Sequence, residues 1–320
     1  MIVMKQSKKL EILVNNYLSM RHFISIKDLK NDEAISLIHK AIDTKNKSTL
    51  ENDIFKNKVL AMIFERPSTR TRLSFDIAAR QLGGSTINLS HRDIHLGNNK
   101  ESISDTAKTI SQYVDMVMLR SQSHLTMLEL SKYSLVPVIN GLSDFSHPCQ
   151  VLADLMTIYE KKSKFENLNI SWLGPITNVT HSWIELMELD FGIKFSIFTT
   201  DFFLSEYKKK CEKYNYDVNL QNINVFTSPE HLGDADIVIT DTWESMGENI
   251  NEEVIEDLKK YRVDSQMMSL FNKDCIFMHC LPANRDQEVA KEVIDGPHSV
   301  VWDEAINRLH VQKEIIKWCL

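Results

Sequence analysis

Short apolar segments alternate with helical segments along nearly the whole chain. The apolar segments are rich in β-branched and aromatic residues, and their lengths are typical of buried strands. They lie at 58–64, 113–119, 135–139, 169–174, 194–200, 235–240 and 275–281, with a shorter one near 85–89. Strands that alternate with helices are typical of parallel sheets with helical crossovers. The sequence therefore predicts an α/β fold.

The length of the chain and the spacing of its strands predict two domains. A chain of 320 residues exceeds the usual size of one domain, and its strands fall into two groups on either side of residue 150. We predict two doubly wound domains with mostly parallel sheets, at 1–149 and 150–304, linked by two helices. The helix that begins at Pro148 is the candidate connector, since proline favours the first helical turn. The spacing of apolar residues in the segment 304–320 predicts a further, amphipathic helix.

Charge and cysteine pattern exclude several classes of protein. The formal net charge is -7, and the longest basic clusters are Lys8-Lys9 and Lys208-Lys209-Lys210, so nucleic acid would find no continuous basic surface. No apolar run approaches the roughly 20 residues that span a bilayer. The cysteines number five, without a CxxC motif, which predicts reduced thiols. We expect a cytoplasmic protein with a small-molecule partner, no nucleic acid and no membrane.

A loop rich in hydroxyls and arginines follows the first predicted strand. It reads Glu65-Arg66-Pro67-Ser68-Thr69-Arg70-Thr71-Arg72 and leads into a helix. Unpaired backbone N–H groups at a helix start, the helix dipole and forked guanidinium donors all favour an anion. The loop therefore predicts a phosphate site. The alternative is that Ser68 or Thr69 only caps the helix while the arginines are solvated.

Other polar residues also follow predicted strands, where ligands of open α/β sheets bind. Arg120, His147 and Gln150 offer donors that could stabilise the oxyanion formed when a nucleophile attacks a carbonyl. Asp241 could hold an ammonium group, and Cys280 could lie against a reacting amine. The alternatives are structural, because an Asp or a His at such a position often caps a turn or helix, and a Cys within an apolar strand is usually a small buried side chain.

Motifs of several other chemistries are missing from the sequence. It contains no GxGxxG after a predicted strand, no GxxxxGK[ST], no HExxH, no EF-hand loop and no GxSxG. We therefore expect no cofactor and no metal.

The polar motifs together resemble those of the aspartate/ornithine carbamoyltransferase family, and within it those of the branch that acts on ornithine. The resemblance runs from Arg21 to the terminal helix. It rests on STRTR at 68–72, DIHLGNNKES at 93–102, Arg120, HPCQ at 147–150, DTWESMG at 241–247, HCLP at 279–282 and Arg308. It implies a first domain for carbamoyl phosphate, a second for ornithine, a terminal helix 305–320 that packs back on the first domain, and a homotrimer with shared active sites.

The resemblance also assigns roles to residues. It implies that Arg70, Arg120, His147 and Cys280 are catalytic, with Cys280 positioning the substrates and not acting as a nucleophile. The residues implied for carbamoyl phosphate are Ser68, Thr69, Arg70, Thr71, Arg120, His147, Gln150, Cys280, Leu281 and Arg308. Those implied for L-ornithine are Asn178, Asp241, Ser245 and Met246. The products would be L-citrulline and phosphate, in arginine synthesis or arginine breakdown.

Two segments depart from the family pattern. The loop after 169–174 usually carries an aspartate directly after Gly174, where this chain has Pro175. That change keeps open a transcarbamoylase that acts on another amine, namely aspartate, putrescine or an acylated ornithine, and also a catalytically idle protein that retains the fold. Before the DIHLG motif the chain has Arg92, which either contributes to the site of a neighbouring subunit or is a solvated loop arginine.

Overall fold

The computed structural model describes residues 20–46, 53–90, 94, 101–244 and 251–320, which form two compact units. The first unit comprises the described residues of 1–24, 47–144 and 312–320, and the second comprises 25–46 and 145–311. Each unit contains one parallel sheet flanked by helices, which confirms the predicted α/β class. Ser25–Asn46, which the sequence prediction includes in 1–149, belongs to the second unit.

Strands and helices alternate as the sequence predicts. The strands are β1 (Val59–Phe64), β2 (Ser85–Ser90), β3 (Met116–Arg120), β4 (Val138–Leu142), β5 (Asn169–Leu173), β6 (Lys194–Phe198), β7 (Ile223–Phe226), β8 (Ile237–Thr240) and β9 (Ile276–His279). The helices are α1 (Asn31–Asn46), α2 (Thr69–Gln81), α3 (Ile103–Ile110), α4 (His124–Tyr133), α5 (Pro148–Lys162), α6 (Asn178–Met187), α7 (Asp201–Lys213), α8 (Glu252–Leu258), α9 (Ser265–Met268), α10 (Lys291–Ile294) and α11 (Val301–Cys319).

The sheet of the first unit has the order β2-β1-β3-β4, with every pair parallel. Strand β1 lies in the interior and is apolar and buried at nearly every position, as expected of a parallel strand covered on both faces. The chain moves from β1 to β2 on one side and continues with β3 on the other. The strand order therefore reverses between β1 and β3, and ligands of doubly wound sheets bind beside such a reversal.

The sheet of the second unit has the order β7-β6-β5-β8-β9 and is also parallel throughout. Its order reverses between β5 and β8, so the ends of these strands mark a second expected ligand position. Helix α5 lies wholly in this unit and is buried on all sides from Pro148 to Ile158, whereas α11 begins in the second unit and ends in the first. Among the described helices, none has the length and apolar character needed to cross a bilayer.

Candidate active site

The predicted phosphate loop lies where β1 ends and α2 begins. Ser68 is the N-cap of α2, and its side-chain oxygen accepts a hydrogen bond from the backbone N–H of Thr71 at 3.3 Å. The first turn of α2 contains no acidic residue, so no side-chain carboxylate there offsets the positive end of the helix dipole. The cap stabilises the helix start, while Thr69 is exposed and Arg70 is half-buried. This turn therefore has the geometry of an anion site.

Arg120 is the last residue of β3 and lies beside the same helix start. Its Cα is paired with that of Phe64 in the neighbouring strand, and its side chain is buried. The Arg120 Nη1 donates to Thr71 Oγ1 at 3.4 Å. The guanidinium is thereby attached to the first turn of α2. Arg72, in contrast, is exposed and lies over the ring of Phe64, with 4.6 Å between the guanidinium carbon and the ring centroid.

Glu65 joins the loops that follow β1 and β3, a role that the sequence reasoning does not assign. Its Oε2 accepts hydrogen bonds from Ser121 Oγ at 2.7 Å and from the Gln122 N–H at 2.6 Å. Its own backbone N–H donates to the Arg120 carbonyl at 3.0 Å. A single acidic residue thus fixes Arg120 relative to the phosphate loop. Only the position of Glu65 directly after a strand could have indicated this role.

The second unit brings His147, Gln150 and Arg308 into its interior, where all three are buried. Pro148 occupies the first turn of α5, as predicted, which places His147 at the N-cap and Gln150 one turn later. The backbone N–H of His147 donates to Ser182 Oγ at 2.9 Å and so joins the start of α5 to α6. Arg308 projects from α11; burial raises the pKa of Asp154 on α5, and the charge of Arg308 opposes that rise.

Gln150 presents one particular atom of its carboxamide. Its Nε2 donates to Asp154 Oδ1 at 2.9 Å and to Glu304 Oε1 at 2.7 Å. Both amide hydrogens are therefore used. The Oε1 atom is buried and accepts no hydrogen bond from any residue in the described part of the chain. Gln150 consequently offers a hydrogen-bond acceptor to a ligand and not a donor.

Asp241 and Cys280 follow the adjacent strands β8 and β9 and contact each other. Asp241 Oδ1 accepts hydrogen bonds from the Thr242 N–H at 2.8 Å and from the Cys280 thiol at 3.1 Å. Burial, and then the charge of Asp241, raise the pKa of the Cys280 thiol well above its usual value. The thiol is therefore neutral at pH 7. A neutral thiol is a poor nucleophile, which agrees with the positioning role expected from the sequence.

His279 holds the turn that contains Cys280 and Leu281. Its Nδ1 accepts a hydrogen bond from the Leu281 N–H at 2.9 Å, and its Nε2 lies 3.2 Å from Glu288 Oε1. Because Nδ1 is an acceptor, the ring hydrogen is on Nε2 and points at the carboxylate. Asp241, His279 and Cys280 present potential metal-ligand atoms within 4.8 Å of one another, but both ring nitrogens of His279 are engaged by the protein.

Asn178 begins α6 directly after the loop that departs from the family pattern. Thr177 is the N-cap, and its Oγ1 accepts a hydrogen bond from the Val179 N–H at 3.2 Å. The carbonyl of Pro175 accepts a hydrogen bond from the Trp172 indole at 2.8 Å. Gly174 has a φ of +116°, a conformation in which a side chain would be strained. The loop is therefore held from both ends although it lacks the usual aspartate.

The predicted residues group at the strand-order reversal of each sheet. Ser68 to Thr71 and Arg120 follow β1 and β3, while Asn178 and Asp241 follow β5 and β8. Arg92, Ser245 and Met246 lie outside the described residues. The first unit thus places a capped helix start without acidic side chains beside a buried arginine, and the second places a buried acceptor, a carboxylate and a neutral thiol near its strand ends.

Comparison with known proteins identifies the family of this chain. Residues 21–160 match the model of the aspartate/ornithine carbamoyltransferase carbamoyl-P binding domain, and residues 166–319 match that of the Asp/Orn binding domain. A protein from Rhodopseudomonas palustris (strain BisA53) named ornithine carbamoyltransferase is 44% identical over 308 residues, which cover 93% of this chain and 97% of the relative.

Solved structures agree with the sequence relatives. The ornithine carbamoyltransferase of Burkholderia thailandensis E264 has a TM-score of 0.83 and 36% identity, and covers 94% of this chain and 99% of its own. An anabolic ornithine carbamoyltransferase from Campylobacter jejuni has a TM-score of 0.80 and 37% identity, with 94% and 99% covered. Both domain models and the relatives lead to one conclusion: the chain belongs to the aspartate/ornithine carbamoyltransferase family.

Proposed function

We propose that this chain is an ornithine carbamoyltransferase, which transfers the carbamoyl group of carbamoyl phosphate to the δ-amine of L-ornithine. The observation that carries the proposal is the capped first turn of α2, free of acidic residues and hydrogen-bonded through Thr71 to the buried Arg120. Such a site fits an acyl phosphate, in which a carbonyl carbon is bonded to a phosphate oxygen. The names of the relatives support ornithine as the acceptor, and no described feature favours another amine.

In the first unit, the residues of the α2 start bind the phosphate. Ser68, Thr69, Arg70 and Thr71 supply hydroxyls, backbone N–H groups and a guanidinium, and the helix dipole favours the negative charge. Arg120 binds the carbamoyl oxygen, because its attachment to Thr71 fixes a cation next to the phosphate. As the C–O bond breaks, the departing phosphate gains charge in a site already arranged to hold it.

In the second unit, three buried groups act on carbamoyl phosphate. His147 donates to the carbonyl oxygen, which becomes an oxyanion during the attack. Gln150 accepts a hydrogen bond from the carbamoyl amino group, because its Oε1 is the one atom of the carboxamide left for a ligand. Arg308 completes the set with a second guanidinium. Leu281 lines the place where the amine attacks.

Ornithine is bound by residues that follow the strands of the second sheet. Asp241 holds the α-ammonium group, and Asn178, Ser245 and Met246 complete the site. The δ-amine resembles that of lysine, with a pKa of about 10.4 in water, and must lose a proton before it can attack. Cys280 positions this amine, since its thiol is neutral and donates to Asp241.

The proposal extends to assembly and cellular role. We propose a homotrimer with shared active sites, to which Arg92 contributes from a neighbouring subunit. Exposed Leu73 and Ile77 on α2 and exposed Ile87 on the edge strand β2 support self-association, because large apolar side chains of this kind often mark interfaces. We further propose that the enzyme acts in arginine biosynthesis, as the word anabolic in the name of one relative suggests for that protein. We also propose that it is cytoplasmic and needs no cofactor and no metal.

One assay tests the function and its alternatives. Purified protein is incubated with carbamoyl phosphate and, separately, with ornithine, aspartate, putrescine or an acylated ornithine, while phosphate release and the carbamoylated product are followed. Citrulline formed only with ornithine supports the proposal. Turnover with a different amine alone would replace ornithine as the acceptor. No turnover with any amine would leave a ligand-binding protein that retains the fold.

A further inference from the structure

Two buried carboxyl groups accept hydrogen bonds from Gln150, and neither belongs to the set of proposed substrate-binding residues. Asp154 on α5 and Glu304 on α11 are each 1% exposed. The Gln150 Nε2 donates to Asp154 Oδ1 and to Glu304 Oε1. The Trp183 indole donates to Asp154 Oδ2 at 3.1 Å, and the His279 N–H donates to Glu304 Oε2 at 3.0 Å. All four carboxyl oxygens are therefore engaged by N–H donors.

The Gln150 Nε2 bridges the two carboxyl groups, which lie close enough for the charge of Asp154 to act on Glu304. Burial raises the pKa of Asp154 to about 7, and burial together with the Asp154 charge raises that of Glu304 well above its usual value. The charge of Arg308 opposes both increases. Because two buried carboxylates repel each other, the pair carries fewer than two negative charges at neutral pH, and its oxygens accept from the four N–H donors.

The pair determines which way the Gln150 carboxamide points. In the observed orientation both amide hydrogens face carboxyl oxygens. The opposite orientation would place Oε1 against those same oxygens, so that acceptors would face acceptors in a buried site. The carboxamide of a surface glutamine turns easily, but this one is held in one orientation by two partners on different helices.

Glu304 also reaches the turn that contains Cys280. It accepts the His279 N–H, and the His279 ring in turn accepts the Leu281 N–H. One side chain on α11 therefore connects Gln150 on α5 with the residues that follow β9. Asp154 has no such second connection among the described contacts, because its other donor is Trp183.

We propose that Asp154 and Glu304 are positioning residues for carbamoyl transfer. Together they orient the Gln150 carbonyl toward the carbamoyl amino group, and Glu304 alone also holds the Cys280 turn. This inference rests on the proposed function, since it assigns Gln150 to carbamoyl phosphate. Neither carboxyl touches substrate.

The test measures carbamoyl phosphate kinetics in Asp154→Asn and Glu304→Gln. Each substitution replaces a carboxyl oxygen with an amide NH₂ that faces an N–H donor, so the Gln150 carboxamide loses one of the two acceptors that fix its orientation. We expect the KM for carbamoyl phosphate to rise roughly 10-fold or more in both variants, as for loss of a buried hydrogen bond. Inhibition by inorganic phosphate, which lacks a carbamoyl group, should change less than about threefold, because the α2 site is intact.

A double-mutant cycle separates positioning from general stabilisation. In a Gln150→Ala background, Asp154→Asn should cause no further rise in KM, because its effect passes through Gln150. Glu304→Gln should still lower kcat, because it also releases the Cys280 turn. Glu185→Gln is the matched control, since Glu185 is a buried carboxyl of the same unit that hydrogen-bonds to Ser25 and not to Gln150, and its kinetics should be unchanged.

The outcomes separate this inference from the proposed function. An inactive wild-type protein would refute the proposed function before any variant is measured. An active wild type whose folded Asp154→Asn variant keeps a normal KM would overturn the inference alone. So would an Asp154→Asn effect that persists in full in the Gln150→Ala background, or a parallel loss of phosphate inhibition. Thermal melting of each variant identifies any that fail to fold, and the remaining variant then decides.

Discussion

Replacing Arg120 with lysine tests the proposed carbamoyl phosphate site most directly, because it keeps the positive charge and removes the planar fork. In the structure, Arg120 Nη1 donates to Thr71 Oγ1 at 3.4 Å, so one nitrogen of the planar guanidinium attaches the side chain to α2. Lysine has a single nitrogen on a flexible stem. It cannot contact Thr71 and reproduce the second, coplanar hydrogen bond.

The expected magnitude follows from one charge-assisted hydrogen bond. Such a bond contributes about 1.5–3 kcal/mol, so kcat/KM for carbamoyl phosphate should fall roughly 10- to 150-fold. The transition state should lose more than the ground state, because the carbonyl oxygen becomes more negative as the amine attacks. We therefore expect a fall in kcat as well as a rise in KM.

The assay is steady-state citrulline formation at saturating ornithine with carbamoyl phosphate varied. Arg80→Lys is the matched control, because Arg80 lies on α2, the helix that Arg120 contacts, and forms an exposed ion pair with Asp76. Exposed pairs of this kind contribute little, so its kinetics should stay within about twofold of wild type. If folded Arg120→Lys also stayed within twofold, the guanidinium fork would have no part in the reaction and the proposed site would be wrong.

Three further predictions concern other parts of the site. Ser68→Ala should lower the free energy of unfolding, measured by urea titration, by about 1 kcal/mol because the α2 cap is lost. It should also raise the KM for carbamoyl phosphate. An unchanged free energy of unfolding would contradict the cap. Cys280→Ser should retain at least about a tenth of kcat, because a hydroxyl can also donate to Asp241, whereas a total loss would favour a nucleophilic thiol. The raised pKa of Glu304 means that the folded state holds its proton more tightly than the unfolded state, so its stability contribution is complete at low pH and is lost as pH rises. Between about pH 5 and pH 8, the Tm of wild type should fall more steeply than that of Glu304→Gln, as measured by calorimetry, and parallel curves would refute this.

Much of the candidate site could be predicted because its residues follow strands. The α2 cap, Arg120, Asp241 and Cys280 each come directly after an apolar run, and parallel sheets bring such positions to one edge. The start of α5 could likewise be predicted from its proline. These predictions need only neighbours along the chain and a general rule of sheet topology.

Other features depend on partners that sequence spacing does not reveal. Gln150 and Glu304 are 154 positions apart, and Glu65 and Gln122 are 57 apart, so neither pair has a local pattern. Strand β7 has only four residues and lies at the sheet edge, where its alternation of apolar and polar side chains is too short to detect. The burial and the nearby Asp241 charge that raise the pKa of Cys280 likewise come from packing and not from its neighbours in sequence.

The closed set of hydrogen bonds around Gln150 restricts how this protein can change during evolution. A substitution at 150, 154 or 304 leaves buried donors or acceptors of the other two unmatched, so single changes carry a penalty that a simultaneous change could avoid. The three positions should therefore covary among homologues although 304 is distant in sequence from the other two. Redesign of this enzyme for a different acyl donor should treat them as one unit, with Trp183 and the His279 backbone as fixed boundaries.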